Sequence, residues 1–239
     1  MPLPKIATPT YELELPSTGK TIKFRPFLVK EEKLLVLALE SDDTKEITNA
    51  IKAVLKDCIQ TRGIKVENLP TFDIEYLFLN IRGKSVGEDI EVSVLCPDDG
   101  ETYAEVEISI DDIKVIKDKK HSNQIKLDDT LMMEMKYPSL DQFVKNNFNF
   151  DEGSQVDQSF DLIAGCVDKV YSADEAWTSE DFTKKEINDF LGSMNSAQFK
   201  QIESFFTTMP KLSHDIEVVN PKTKKKSTVT LEGLASFFA

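Results

Sequence analysis

Glycine is scarce, 9 residues in 239, and a phosphate-cradling loop needs clustered glycines. No P-loop, dinucleotide fingerprint, Gly-x-Ser-x-Gly elbow or HExxH helix occurs either. Cysteine is limited to Cys58, Cys96 and Cys166, too few for a disulfide framework. An odd count with no secretion signal favours a reducing cytosol, the opening MPLPKIATPT having too short an apolar stretch for a signal peptide. No run of eighteen apolar residues exists, so no membrane span is expected. The two histidines, His121 and His214, stand in polar text without ligand spacing. Basic residues are outnumbered, 29 against 42 acidic, for a formal net charge of −13. Such a field repels nucleic acid and anionic membranes and favours basic protein partners.

What is present suits a packed core: 40% of the residues are hydrophobic, enough for one large domain or two modest ones. Polar seams at KDKKHSNQ (117–124) and NFDEGSQ (149–155) divide the chain into 1–116, a connector 117–155, and 156–239. With 42 carboxylates, chance pairs are guaranteed, and Asp98-Asp99, Asp111-Asp112 and Asp128-Asp129 read as solvated turns. A carboxylate-dependent hydrolase is a remote alternative; the chain reads as not an enzyme, with no cofactor.

In 1–116, Tyr11, Leu13 and Leu15 alternate, then Ile22 and Phe24 after a Pro-Ser-Thr-Gly turn, which predicts a hairpin. VKEEKLLVLALES predicts a helix with acids in its first turn. Asp43 and Glu46 have capping-box spacing, and Ile47, Ala50, Ile51, Val54, Leu55, Cys58 and Ile59 make the stripe of a helix that Gly63 would end. PTFDIEYLFLNIRGKSVG predicts a helix apolar on several sides, hence central. The connector reads as a strand pair running into a helix. Beyond it, Phe160, Ile163, Ala164, Val167 and Tyr171 form one helical stripe, and Phe199, Ile202, Phe206 and Met209 another. A hairpin and one or two helical turns close the chain. The expected fold class is α+β: a mostly helical body with two or three antiparallel β-hairpins, one ribbon-like but lacking metal ligands.

That ribbon is DIEVSVLCPDDGETYAEVEISIDD. Cys96-Pro97 opens a zinc-knuckle-like turn, yet Asp98 and Asp99 stand where a second cysteine would be, so no metal site is expected. Asp89-Ile90-Glu91-Val92 recurs as Asp215-Ile216-Glu217-Val218, and Cys96-Pro97 as Asn220-Pro221. The second turn carries Lys222, Lys224, Lys225 and Lys226, the cationic cluster of an acidic chain and the candidate partner contact.

KFRPFLVKEEKLLVLALES, LPTFDIEYLFLNIRGKSVGE, FFTTMPKLSHDIEVVNP and VTLEGLASFF resemble the T4-type bacteriophage baseplate hub assembly proteins, in the same order along nearly the whole chain. Some members of that family carry a fuller Cys-x-x-Cys at the ribbon turn. This chain has Cys96-Pro97-Asp98-Asp99, so their metal is not carried over. The resemblance implies a non-enzymatic assembly factor, or chaperone, for the central hub of a contractile-tail baseplate. The alternative is a permanent structural subunit. It further implies hub proteins as partners, and a place in the host cytoplasm during assembly or in the virion tail.

Overall fold

The first hairpin follows from period-two patterning: β1 (Tyr11–Glu14) pairs antiparallel with β2 (Thr21–Phe24), Leu13 opposite Ile22. The computed structural model describes residues 6–41, 43–147 and 155–237. The seam at 149–155 therefore lies, but for Gln155, outside the described residues. Two helices follow the hairpin, α1 (Val29–Glu40) and α2 (Thr44–Cys58). The Asp43 carboxylate caps α2, accepting from the N–H groups of Lys45 and Glu46. The helix stops at Cys58, short of Gly63, because Ile59 turns extended and bridges to Phe24 of β2. Arg25 N–H to Cys58 O at 2.9 Å and Gln60 N–H to Lys23 O at 2.8 Å complete that junction.

Helix α3 (Thr71–Val86) is central, as its all-round apolarity predicts. Ile74, Leu77, Leu79 and Ile81 are fully buried. Gly83 allows a close approach: a Cβ there would lie 2.8 Å from Ile110 Cδ1. Asp73 is also fully buried, and burial raises its pKa. Its carboxyl accepts from the Ser17 N–H at 3.0 Å and from the Ser17 hydroxyl, which ties α3 to the first turn of the chain.

The ribbon hairpin is β3 (Asp89–Leu95) with β4 (Tyr103–Ser109), and the short β5 (Lys114–Ile116) follows it. Strands β6 (Gln124–Lys126), β7 (Met132–Met135), β8 (Val167–Tyr171) and β9 (Ala176–Thr178) form an antiparallel sheet in that order. Helices α4 (Leu140–Asn147) and α5 (Gln155–Cys166) lie between β7 and β8 in the chain. Then come α6 (Lys184–Gly192), α7 (Ser196–Thr208), the hairpin β10 (Lys211–Val219) with β11 (Lys226–Glu232), and a 3-10 turn at Leu234–Phe237. Strand β5 joins the second hairpin as its third strand, Leu212 opposite Val115.

The expected mostly helical body is not what forms. The described residues form seven α-helices and eleven strands, a mixed α+β fold with four small antiparallel sheets among them. The difference is largest at 167–171, where the helical stripe from Phe160 is expected to continue. Helix α5 ends at Cys166, whose carbonyl accepts from Lys136 N–H at 2.7 Å. Val167–Tyr171 then runs as a strand, with Val170 opposite Met133. Two valines and a tyrosine in five residues suit a pleated, half-buried surface better than a helix.

Buried hydrophobic residues fall into two clusters. The first draws on β1, β2, α2, α3 and the ribbon, with Leu140 and Val144 of α4 and Leu212, Ile216, Val218, Leu231 and Phe237 of the C-terminal segment. The second holds Met133, Met135, Ile163, Val167, Ile187, Leu191, Ile202 and Phe205. The C-terminal hairpin, grouped by chain position with 156–239, thus packs with residues of 1–116.

Candidate functional site

A helix in a globular protein buries its apolar stripe. In α1, the run Leu34-Leu35-Val36-Leu37-Ala38-Leu39 puts apolar side chains on nearly every side, yet only Glu31 and Ala38 are buried. Val29, Leu34, Val36, Leu37 and Leu39 stand 40% to 81% exposed. Beside them runs a groove of about 460 Å³ bounded by α1, α2 and the last turns of α3, lined by Leu35, Val36, Leu39, Ile47, Phe78 and Val86 among others.

Leu35 and Ala38 pack α1 against the first core, and polar bonds fix the helix at its start. Glu31, 3% exposed, receives the Arg25 guanidinium at 2.8 Å, Lys30 Nζ at 3.0 Å and the Leu28 N–H at 2.7 Å. Burial pushes the Glu31 carboxyl up, but those three donors outweigh it and bring its pKa down to about 2. Phe27 N–H donates to Ser85 Oγ at 2.7 Å, and the Phe27 ring lies 5.6 Å from that of Phe78. The groove floor is therefore tied to α3 while the outer surface of α1 stays open to contact.

The two hairpins have the same turn. Gly100 N–H donates to Cys96 O at 3.0 Å and Lys224 N–H to Asn220 O at 2.9 Å, with φ of +67° at Gly100 and +60° at Lys224. Cys96 is 1% exposed and packs in the first core as a small hydrophobe. Asp98 and Asp99, expected in a solvated turn, are respectively half-buried and exposed there, and they also clasp the second turn. Asn220 Nδ2 donates to Asp98 Oδ1 and to Asp99 Oδ2, both at 2.9 Å, and Thr223 Oγ donates to Asp98 Oδ2 at 2.5 Å. Hydrogen bonds from Thr223 and Asn220 hold the Asp98 carboxyl below the usual range, and bonds from Thr102 and Asn220 do the same for Asp99. Asn220 is itself buried, its side-chain Oδ1 accepting from the N–H groups of Lys222 and Thr223. Asn220→Ala should cost about 1–3 kcal/mol, since it removes the hydrogen bonds that a buried amide gives to two carboxylates. Urea unfolding of parent and variant checks this, and equal midpoints would mean that water replaces the clasp.

The clasp sets the positions of the four candidate lysines. Lys222, Lys224, Lys225 and Lys226 are all exposed, and none makes an ion pair among the described residues. Lys222, Lys224 and Lys225 sit on the hairpin's turn, which is anchored to the ribbon, and Lys226 opens β11 beside it. Sequence reading missed both the clasp and the open face of α1. For the latter a signal was present: six consecutive apolar residues exceed what a two-sided helix needs to bury.

Elsewhere, reactive side chains are engaged in structure. His121 Nδ1 lies 3.0 Å from Thr208 Oγ and Nε2 lies 3.0 Å from Tyr137 OH. The Thr208 hydroxyl donates to Ser204 O at 2.7 Å, so it accepts from Nδ1–H and leaves Nε2 to accept from Tyr137. Burial pushes the thiols of Cys58 and Cys166 up, to about 11 and about 12. Among the described residues no group of three or more His, Cys, Asp or Glu is placed to hold a metal ion, and no helix is long and apolar enough to cross a membrane.

No curated protein and no solved structure matches the chain. The family model described as T4 bacteriophage base plate protein matches residues 8–239, nearly the whole length. The chain belongs to the T4 bacteriophage base plate protein family.

Proposed function

We propose that the protein is a non-enzymatic assembly factor for the central hub of a contractile-tail baseplate, acting by contact with other hub proteins. Family membership supports a role in the baseplate and other baseplate proteins as partners. The observation that carries the contact mechanism is α1, a helix apolar on nearly all sides with five large apolar residues exposed. A monomer gains nothing from such a face, whereas a partner that covers it gains its burial.

The same face suits a permanent structural subunit of the baseplate, and mass spectrometry of purified virions separates the two. An assembly factor present in infected cells, in the host cytoplasm, should be missing from the mature tail. A fixed copy number per tail would instead make it a subunit.

A second contact is proposed at Lys222, Lys224, Lys225 and Lys226, exposed cations on a chain of net charge −13. Lys224→Glu with Lys226→Glu should slow association with an acidic hub protein and flatten its salt dependence. Folding stability should stay within about 0.5 kcal/mol of the parent. Co-purification at low and high salt is the check. Equal recovery of parent and double variant would reduce the lysines to a solubilising turn.

A further inference from the structure

We infer that the groove between α1 and α3 receives an amphipathic helix of a basic partner protein, one that carries its apolar residues on one face and Lys or Arg beside them. The inference rests on the reading that the protein works by contact within the baseplate, and names the kind of segment that fills its open face.

The lining has helical spacing on both walls. On α1 it includes the series Val29, Glu32, Val36 and Leu39, with Leu35 and Ala38 beside it, and on α3 the series Phe78, Arg82 and Val86, with Ser85 beside it. Each series advances three or four residues at a time, so each wall is a single stripe of its helix. The α1 stripe runs from Val29 to Leu39, ten helical rises or about 15 Å. Two such stripes facing one groove offer a third helix ridges to interdigitate with, whereas a strand would bring side chains at period two and miss alternate positions. A volume of about 460 Å³ accommodates several anchor side chains of that helix rather than its backbone.

The sign of the occupant comes from the whole molecule. Glu32 and Arg82 offset one another within the lining, while the chain carries 42 acidic against 29 basic residues. A field of net charge −13 attracts a cationic segment and opposes a second copy bearing the same charge.

The test uses the full chain and a labelled helical peptide of about 18 residues, long enough for five turns. Leu occupies i, i+3/i+4 and i+7 positions and Lys the remainder; a matched peptide carries Glu for Lys. The Lys peptide should bind and the Glu peptide should not, with binding weakened at high salt. Val36→Ser with Leu39→Ser should weaken it by about tenfold or more, as loss of packed anchors does. Leu95→Ser with Tyr103→Ser, exposed on the ribbon and outside the lining, should leave it unchanged. Equal binding of the two peptides, or equal loss in the two double variants, overturns the inference. So does a parent dimer in sedimentation that only Val36→Ser with Leu39→Ser dissociates. Purified hub proteins run beside the peptides keep the two levels apart. If the parent binds hub proteins but not the Lys peptide, the groove assignment falls and the contact function stands. If it binds the peptide but no hub protein, the contact function falls.

Discussion

Leu77→Ala should lower the unfolding free energy by about 2–5 kcal/mol, the cost of a large deletion in a core that cannot collapse around it. Leu77 is fully buried on a helix surrounded on nearly every side. In a chain of 239 residues each kcal/mol moves the melting temperature by about 2–4 °C. Phe78, its neighbour, should behave differently. It is only partly buried and lines the α1 groove, so Phe78→Ala loses contacts on one side and should cost less. Thermal melts of the two variants give the comparison. If Leu77→Ala melts with the parent, α3 is not the centre of the first core.

The second large effect is expected at Arg25. Removing one member of a buried ion pair leaves the other desolvated and uncompensated, at a cost of about 3–5 kcal/mol. Arg25→Ala would leave Glu31, 3% exposed, with only Lys30 and the Leu28 N–H. Because Glu31 fixes the start of α1, the variant should also loosen the helix that bears the open apolar face. The pair has a pH signature. The carboxyl titrates near 2 in the folded chain against 4.5 as reference, so its depressed pKa favours folding above about 4.5. That contribution fades as pH falls from 4.5 towards 2. Glu31→Gln should remove this part of the acid dependence, read as a shallower stability profile over that window. An unchanged profile would mean that other carboxylates dominate it.

Local periodicity made much of the first core legible. The stripe on α2, the all-round apolarity of α3 and the alternation of both hairpins each fix which face is buried, and each is set within a dozen or so residues. Strands β5 and β9 were not legible, being three residues long and formed through pairing with other strands. At Val167–Tyr171 the stripe reads as helical, and pairing with β7, which local spacing does not show, makes it a strand. The clasp was hidden for a related reason. Asn220 and Asp98 are 122 positions apart, and nothing near either residue shows that the two turns meet. The lysine cluster could be read as exposed because basic turn residues next to proline have no core to enter. Its role in binding is a separate matter that rests on a partner. The open face of α1 was written in the run from Leu34 to Leu39, but a sequence does not show how many sides of a helix its neighbours will cover.

Hydrogen exchange, measured by mass spectrometry on the protein alone and with purified hub proteins, tests contact through α1 most directly. Amide protection should increase on complex formation within 28–41 and 78–86, the two walls of the groove, and stay level in the 124–208 region. Protection confined to 124–208, or no change in any segment, would contradict assembly through the α1 face.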